Sequence, residues 1–158
     1  GGQSPYGNDQ TWEYDGTTWA QRVPSPAPPP QYGHAMAFDP VRGRTVLFGT
    51  QPNVGPGITW EWAGTTWLQR QAAHAPINRR FAAMTWHAGR GRILLYGGES
   101  GNTSGVFQDL WEWDGTDWTL LDAAAPAGGR SGARLVCDAG RGGYGMGSSV
   151  WAYVALSI

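Results

Sequence analysis

One nine-residue pattern, repeated three times, limits what this chain can fold into. Thr11-Trp12-Glu13-Tyr14-Asp15-Gly16-Thr17-Thr18-Trp19 recurs as Thr59-Trp60-Glu61-Trp62-Ala63-Gly64-Thr65-Thr66-Trp67. It returns as Leu110-Trp111-Glu112-Trp113-Asp114-Gly115-Thr116-Asp117-Trp118. The first tryptophans of successive copies lie 48 and then 51 positions apart. A second block keeps the same period. Tyr32-Gly33-His34-Ala35-Met36-Ala37-Phe38-Asp39 leads through Arg42 to Val46-Leu47-Phe48-Gly49, and Arg80-Phe81-Ala82-Ala83-Met84-Thr85-Trp86-His87 leads through Arg90 to Ile93-Leu94-Leu95-Tyr96-Gly97-Gly98. A decayed third copy runs from Ser131 to Gly142. Units of this length are single supersecondary modules that bury their apolar faces only by stacking on one another.

Each unit holds four short runs of strand character separated by turn residues. In the middle unit they fall at about 34–38, 45–48, 58–62 and 66–69. Asp-Gly or Ala-Gly joins the third run to the fourth, a strong tight-hairpin signal. The second run is continuously apolar, as expected of a strand covered on both faces. The extra length of the longer period lies between the second and third runs, which marks a surface loop. With 25 Gly and 11 Pro in 158 residues, a mainly helical fold is excluded. Ten Trp and 41% hydrophobic residues exclude a disordered chain. Four antiparallel strands per unit of about fifty residues predict an all-β propeller blade.

In these features the chain resembles the kelch repeat family. The features that carry the likeness are Gly97-Gly98 closing an apolar second strand, Trp111-Glu112-Trp113, and the spaced Trp118; Gly1-Gly2, Trp12 and Trp19 repeat the pattern. Trp60 and Trp67 do so as well, although Gly49-Thr50 replaces the diglycine in that copy. The resemblance implies a kelch-type β-propeller in which aromatic side chains interleave between blades. It also implies a binding or scaffolding role without catalysis, in an extracellular or cell-envelope setting of the bacterial kind.

The strands suffice for about three blades. Residues 1–22 supply the third and fourth strands of a split blade, 31–70 and 79–121 are complete blades, and 130–158 supply first and second strands. The apolar run 150–156 fits a displaced second strand better than a third, because no tight turn and no second Trp follow it. Three blades cannot close a ring. Two completions are open: a second copy joined head to tail as a homodimer of six blades, or further sequence in a longer chain. A net charge of -1 gives no basic field for nucleic acid. The run 150–156 is far short of the ~20 apolar residues of a membrane span.

Residues 140–145 spell a Gly-x-Gly-x-x-Gly pattern, but no helix can start after them to hold a phosphate. His34, His74 and His87 occupy unrelated repeat positions and show no metal-ligand spacing. Some kelch-fold enzymes are copper radical oxidases with Tyr, Cys and His ligands, but no version of that site is recognisable around Cys137, which shares the repeat position of Phe38 and Trp86 and is expected to be buried. No catalytic residue, metal or cofactor is therefore assigned. Glu13, Glu61 and Glu112 recur in register, which suits one structural role per blade. Arg42, Arg90 and Arg141 also recur, and are expected to pair with a neighbouring blade's carboxylate.

Recognition is expected on the loops after the second strands, at about 3–10, 51–57 and 99–109. Aromatic side chains outside the repeated core, beside Arg or Asp, are the candidate ligand-binding residues: Tyr6, Tyr32, Arg80, Phe107 and Asp109. The ligand would be a protein or a glycan, the latter held in lectin fashion in pockets between blades. Phe107 has a second explanation as the anchor of its own long loop. Asn102-Thr103-Ser104 is a formal glycosylation sequon.

Overall fold

The computed structural model describes residues 9–49, 55–101, 104–138, 143–147 and 151–154, the stretch from 138 onward as backbone only. The described residues form thirteen β-strands and no helix. The strands are β1 (Thr11–Tyr14), β2 (Trp19–Arg22), β3 (Ala35–Asp39), β4 (Arg44–Gly49), β5 (Ile58–Trp62), β6 (Trp67–Arg70), β7 (Ala83–His87), β8 (Arg92–Tyr96), β9 (Leu110–Trp113), β10 (Trp118–Asp122), β11 (Arg134–Asp138), β12 (Gly143–Gly147) and β13 (Trp151–Val154). They form four antiparallel meanders: β1-β2, β3-β4-β5-β6, β7-β8-β9-β10 and β11-β12-β13. Equivalent residues pair in equivalent registers, Leu47 with Trp60 in the second sheet and Leu95 with Trp111 in the third.

The 150–156 run corrects one expectation. Gly143–Gly147 pairs with β11 and takes the second position, while β13 pairs beyond it as the third strand. Trp151 faces Gly147 as Leu110 faces Tyr96, so β13 is the equivalent of β9. The glycine-rich strand was hard to see because strand character was sought in apolar side chains, whereas backbone pairing sets the order.

Consecutive sheets stack face to face. Leu47, Trp60, Trp62 and Trp67 form the cluster toward the first sheet. Val46 and Phe48 meet Ile93, Leu95, Trp113 and Trp118 between the second and third. Leu94, Tyr96, Leu110 and Ala125 meet Leu135 between the third and fourth. The first strands of sheets two, three and four (β3, β7 and β11) lie against one another in sequence. Two backbone bonds pass along this inner line at one repeat position: Phe81 N–H donates to Gly33 O at 2.7 Å, and Gly132 N–H to Phe81 O at 2.9 Å.

The recurring motif explains the stacking. A buried indole is stabilising only if its N–H finds an acceptor. Trp62 Nε1 donates to Glu13 at 2.8 Å and Trp67 Nε1 to Thr11 Oγ1 at 2.9 Å. One sheet on, Trp113 Nε1 donates to Glu61 at 3.1 Å and Trp118 Nε1 to Thr59 Oγ1 at 2.8 Å. Each third strand thus presents Thr and Glu to the sheet after it, and Trp to the sheet before it. The third sheet departs from this rule, with Leu110 at the Thr position. A bulge beyond Leu120 brings Leu121 into the same aliphatic cluster and sets Asp122 opposite Leu110.

Glu61 is fully buried. It accepts from Arg42, from Arg70 Nε at 2.8 Å, and from Trp113. Arg42 and Arg90 therefore bind the carboxylates of their own sheets, Glu61 and Glu112, and not those of a neighbour as the sequence suggested. The hairpin between first and second strands folds back over its own third strand, and the cross-sheet bond falls to the indole. Arg141 lies outside the described residues. Cys137 is half-buried, not buried, as its equivalents also meet solvent: Trp86 is half-buried and Phe38 exposed.

Burial pushes the Glu61 carboxyl upward, but hydrogen bonds from Arg42, Trp113 and Arg70 outweigh it and hold it below the ordinary 4.5. A depressed folded-state pKa contributes stability above the unfolded value that is lost as pH falls through the folded one. Glu61→Gln should cost about 3–5 kcal/mol near neutrality. Its urea midpoint should also fall less steeply than that of the wild type below about pH 4.5; a parallel acid limb would show that Glu61 is not the linked group. Thr59→Val, which orphans the Trp118 N–H, should cost about 1–3 kcal/mol by the same assay.

Candidate functional site

The strand ends that carry the 2–3 loops also carry the entries to the first strands, so both lie on one face. There the residues before β3, β7 and β11 form a row. Tyr32, Arg80 and Ser131 occupy one repeat position in three successive units. Arg80 Nη1 donates to the Tyr32 hydroxyl at 2.5 Å and its Nε to Glu99 Oε1 at 2.8 Å. Ser131 Oγ donates to Glu99 Oε2 at 2.7 Å. Glu99 is placed by main-chain bonds in both directions with Arg80, at 3.0 and 2.9 Å.

The diglycine explains why Glu99 arrives there. Gly97 and Gly98 have φ of 65° and 98°. A Cβ would stand 2.5 Å from Arg130 O at Gly97 and 2.9 Å from Arg80 O at Gly98. Only glycine lets the chain turn this tightly against its neighbours. The Glu99 carboxyl is held below its usual range by the Ser131 hydroxyl first, with slight burial opposing and Arg80 adding to the lowering. Arg80 is correspondingly pushed up, chiefly by Glu99.

Phe81 completes the cluster in an unusual conformation. Its φ is 55°, the one left-handed non-glycine among the described residues, and its equivalents Gly33 and Gly132 have φ of 67°. The repeat thus demands a left-handed residue here, and this unit meets the demand with a phenylalanine. The ring lies over Gly33 and near the Tyr32 ring, at 6.4 Å between centroids. The Arg80 guanidinium stands 5.6 Å from the Tyr32 ring and 5.8 Å from that of Phe81. The product is a partly exposed patch of two rings and an ion pair spanning three sheets.

The sequence-selected residues separate into two groups. Tyr32 and Arg80 meet in this patch. Phe107 and Asp109 belong elsewhere: the Arg79 guanidinium lies 3.8 Å over the Phe107 ring and pairs with both Asp109 oxygens, while Trp111 Nε1 donates to Asp109 at 2.7 Å. Burial raises the Asp109 pKa, and Arg79 and Trp111 more than reverse it. Arg79 is buried, and with Phe107 and Asp109 it anchors the 99–109 loop, while Phe107 and Asp109 also line a concavity with Val106 and Leu120. Tyr6 lies outside the described residues, as do 3–8, 51–54 and 102–103 of the three loops. Sequence reading missed Phe81, Glu99 and Ser131; the available signal was a Phe where the other copies have Gly.

A second concavity lies between the first and second sheets, where among the described residues one edge of β1 has no strand beside it. Trp12, Trp19, Trp67, Gln31, His34 and Met36 line it. Burial lowers the His34 pKa, and its Nδ1 is enclosed without a hydrogen-bond partner. Among the described residues no three His, Cys, Asp or Glu side chains converge to hold a metal ion. His74 pairs with Asp117 at 2.7 Å on the surface.

No protein-family model matches the chain, and no curated protein matches it.

The left-handed position gives a direct test. Phe81→Gly should change stability by less than about 1 kcal/mol, since relieved backbone strain offsets lost ring packing. Phe81→Val, β-branched at positive φ, should cost at least about 2 kcal/mol. Equal losses in denaturant titrations would show that ring contacts, not the backbone, govern the site.

Proposed function

We propose that this chain is part of a kelch-type β-propeller and acts as a non-enzymatic binding or scaffolding module. Meanders of four strands stacked through interleaved indoles, with β3, β7 and β11 along an inner line, support the fold reading. The observation that carries the functional reading is the row Tyr32-Arg80-Ser131 joined through Glu99. Repeat symmetry fixes many of the residues that build the stack, yet at this position three different polar or aromatic side chains stand side by side on the loop face. A site freed from the repeat and cross-linked into a rigid patch is what recognition requires. The setting we propose is extracellular or cell-envelope, following the same resemblance.

A lectin-like ligand is the favoured second reading, because an exposed phenol ring beside an arginine–carboxylate pair offers a stacking surface and directional hydrogen bonds to a sugar. Labelled protein should bind on a glycan array, with Tyr32→Ala and Arg80→Ala each weakening binding at least tenfold while melting midpoints hold. Asp109→Asn should instead lower the midpoint. Binding indifferent to both patch substitutions would remove the recognition role from this face.

A further inference from the structure

Inside the chain, specific repeat positions are covered by the adjoining sheet, and the same positions at the two ends of the stack are bare. Tyr14 is 53% exposed where its equivalents Trp62 and Trp113 are 8% and 0%. Trp19 is 66% exposed where Trp67 and Trp118 are 5% and 1%. Met36 and Phe38 are exposed, while Met84 and Trp86 pack against Val46 and Phe48 of the preceding sheet. At the other end, Val136 is exposed where its equivalent Ala37 packs into that same interface. These bare positions are complementary halves of one interface already seen twice.

We propose that a second copy of this chain covers them, with β1 of one copy pairing on β12 of the other in the place that β13 holds. The inference rests on the stacked-sheet reading above and names its partner and register. Strand order supports the exchange. Among the described residues β1 has no second-position strand beside it, whereas β12 carries β13, with no fourth strand described beyond it. β1 brings β2 with it and so completes a four-stranded sheet. It also carries Thr11 and Glu13, which accept from Trp67 and Trp62. β13 has Trp151 and Tyr153 at those register positions in place of Thr and Glu.

Seated this way, Tyr14 and Trp19 face β9 of the other copy. Glu112 there is bound by Arg90 through Oε2, and its other oxygen takes the Tyr14 hydroxyl, as Glu13 and Glu61 take indoles. Asp122, which the bulge sets opposite Leu110, is placed to accept from Trp19. The Val136 face of β11 then covers Met36 and Phe38. The contact is heterologous at each seam, and two equal seams close a two-fold ring.

Light scattering at micromolar concentration should give twice the 17.0 kDa chain mass. Trp19→Glu should weaken the dimer about thirty-fold or more, the scale of a buried aromatic anchor. Tyr14→Cys with Glu112→Cys, in a Cys137→Ser background, should yield an interchain disulfide on mild oxidation. A wild-type monomer, or open-ended polymers, would overturn the proposal, and a dimer that never forms that disulfide would overturn its register. Tyr32→Ala and Arg80→Ala should leave the mass unchanged, so loss of ligand binding and loss of assembly are read separately.

Discussion

Two indole N–H groups at each of the first two interfaces hold this structure in register. An apolar face alone would let one sheet slide or rotate on the next, because dispersion and burial are not directional. A tryptophan that buries its ring must also find an acceptor at about 3 Å, and here the acceptors are a threonine and a glutamate two residues apart on the preceding third strand. The pair fixes both the offset and the angle between sheets. It also explains the charge pattern: the glutamate can be buried only because arginines of its own sheet neutralise it, so each unit carries its arginine in the hairpin that folds back over that strand.

The interface that lacks this device behaves differently. Between the third and fourth sheets, Leu110 and Leu121 stand where Thr59 and Arg70 stand in the second sheet, Leu135 packs beside them, and Tyr96 sends its hydroxyl to Gly128 O. Burial pushes that phenol's pKa upward, in keeping with its place in an apolar seam. Aliphatic packing is tolerant of what lies opposite it. The end of the stack whose third strand presents Leu110 in place of the threonine acceptor is thus the one where a foreign third strand costs least to accommodate.

Much of this was legible in the residues. The 48- and 51-residue spacings, the four runs per unit and the hairpin turns follow from local chemistry, and the structure places strands at all of them. The direction of the arginine pairing was not legible. A hairpin arginine can reach the carboxylate of its own third strand or that of a neighbour with equal ease in sequence, and only the fold-back decides. The glycine-rich β12 hid for a related reason, since its pairing is a property of the backbone. Tyr32, Arg80, Phe107 and Asp109 stood out alike as aromatic or charged residues outside the repeated core, and only the fold joins Tyr32 to Arg80 while setting Phe107 and Asp109 against Arg79.

The residue that sequence reading passed over carries the sharpest link between fold and recognition. Position 81 must be left-handed because its N–H and C=O both bond across sheets, to Gly33 O and Gly132 N. Glycine would satisfy that at no steric cost, as it does in the flanking copies. Phenylalanine meets the same demand with a strained backbone, and the strain is held by bonds on either side. What the ring adds is a second aromatic surface beside Tyr32 and a wall for the Arg80 guanidinium, fixed to the most constrained line of the molecule. A patch on a loop tip would have to be ordered by whatever it met; this one is ordered by the inner line of the stack, so under the proposed recognition role little conformational freedom would be lost on binding.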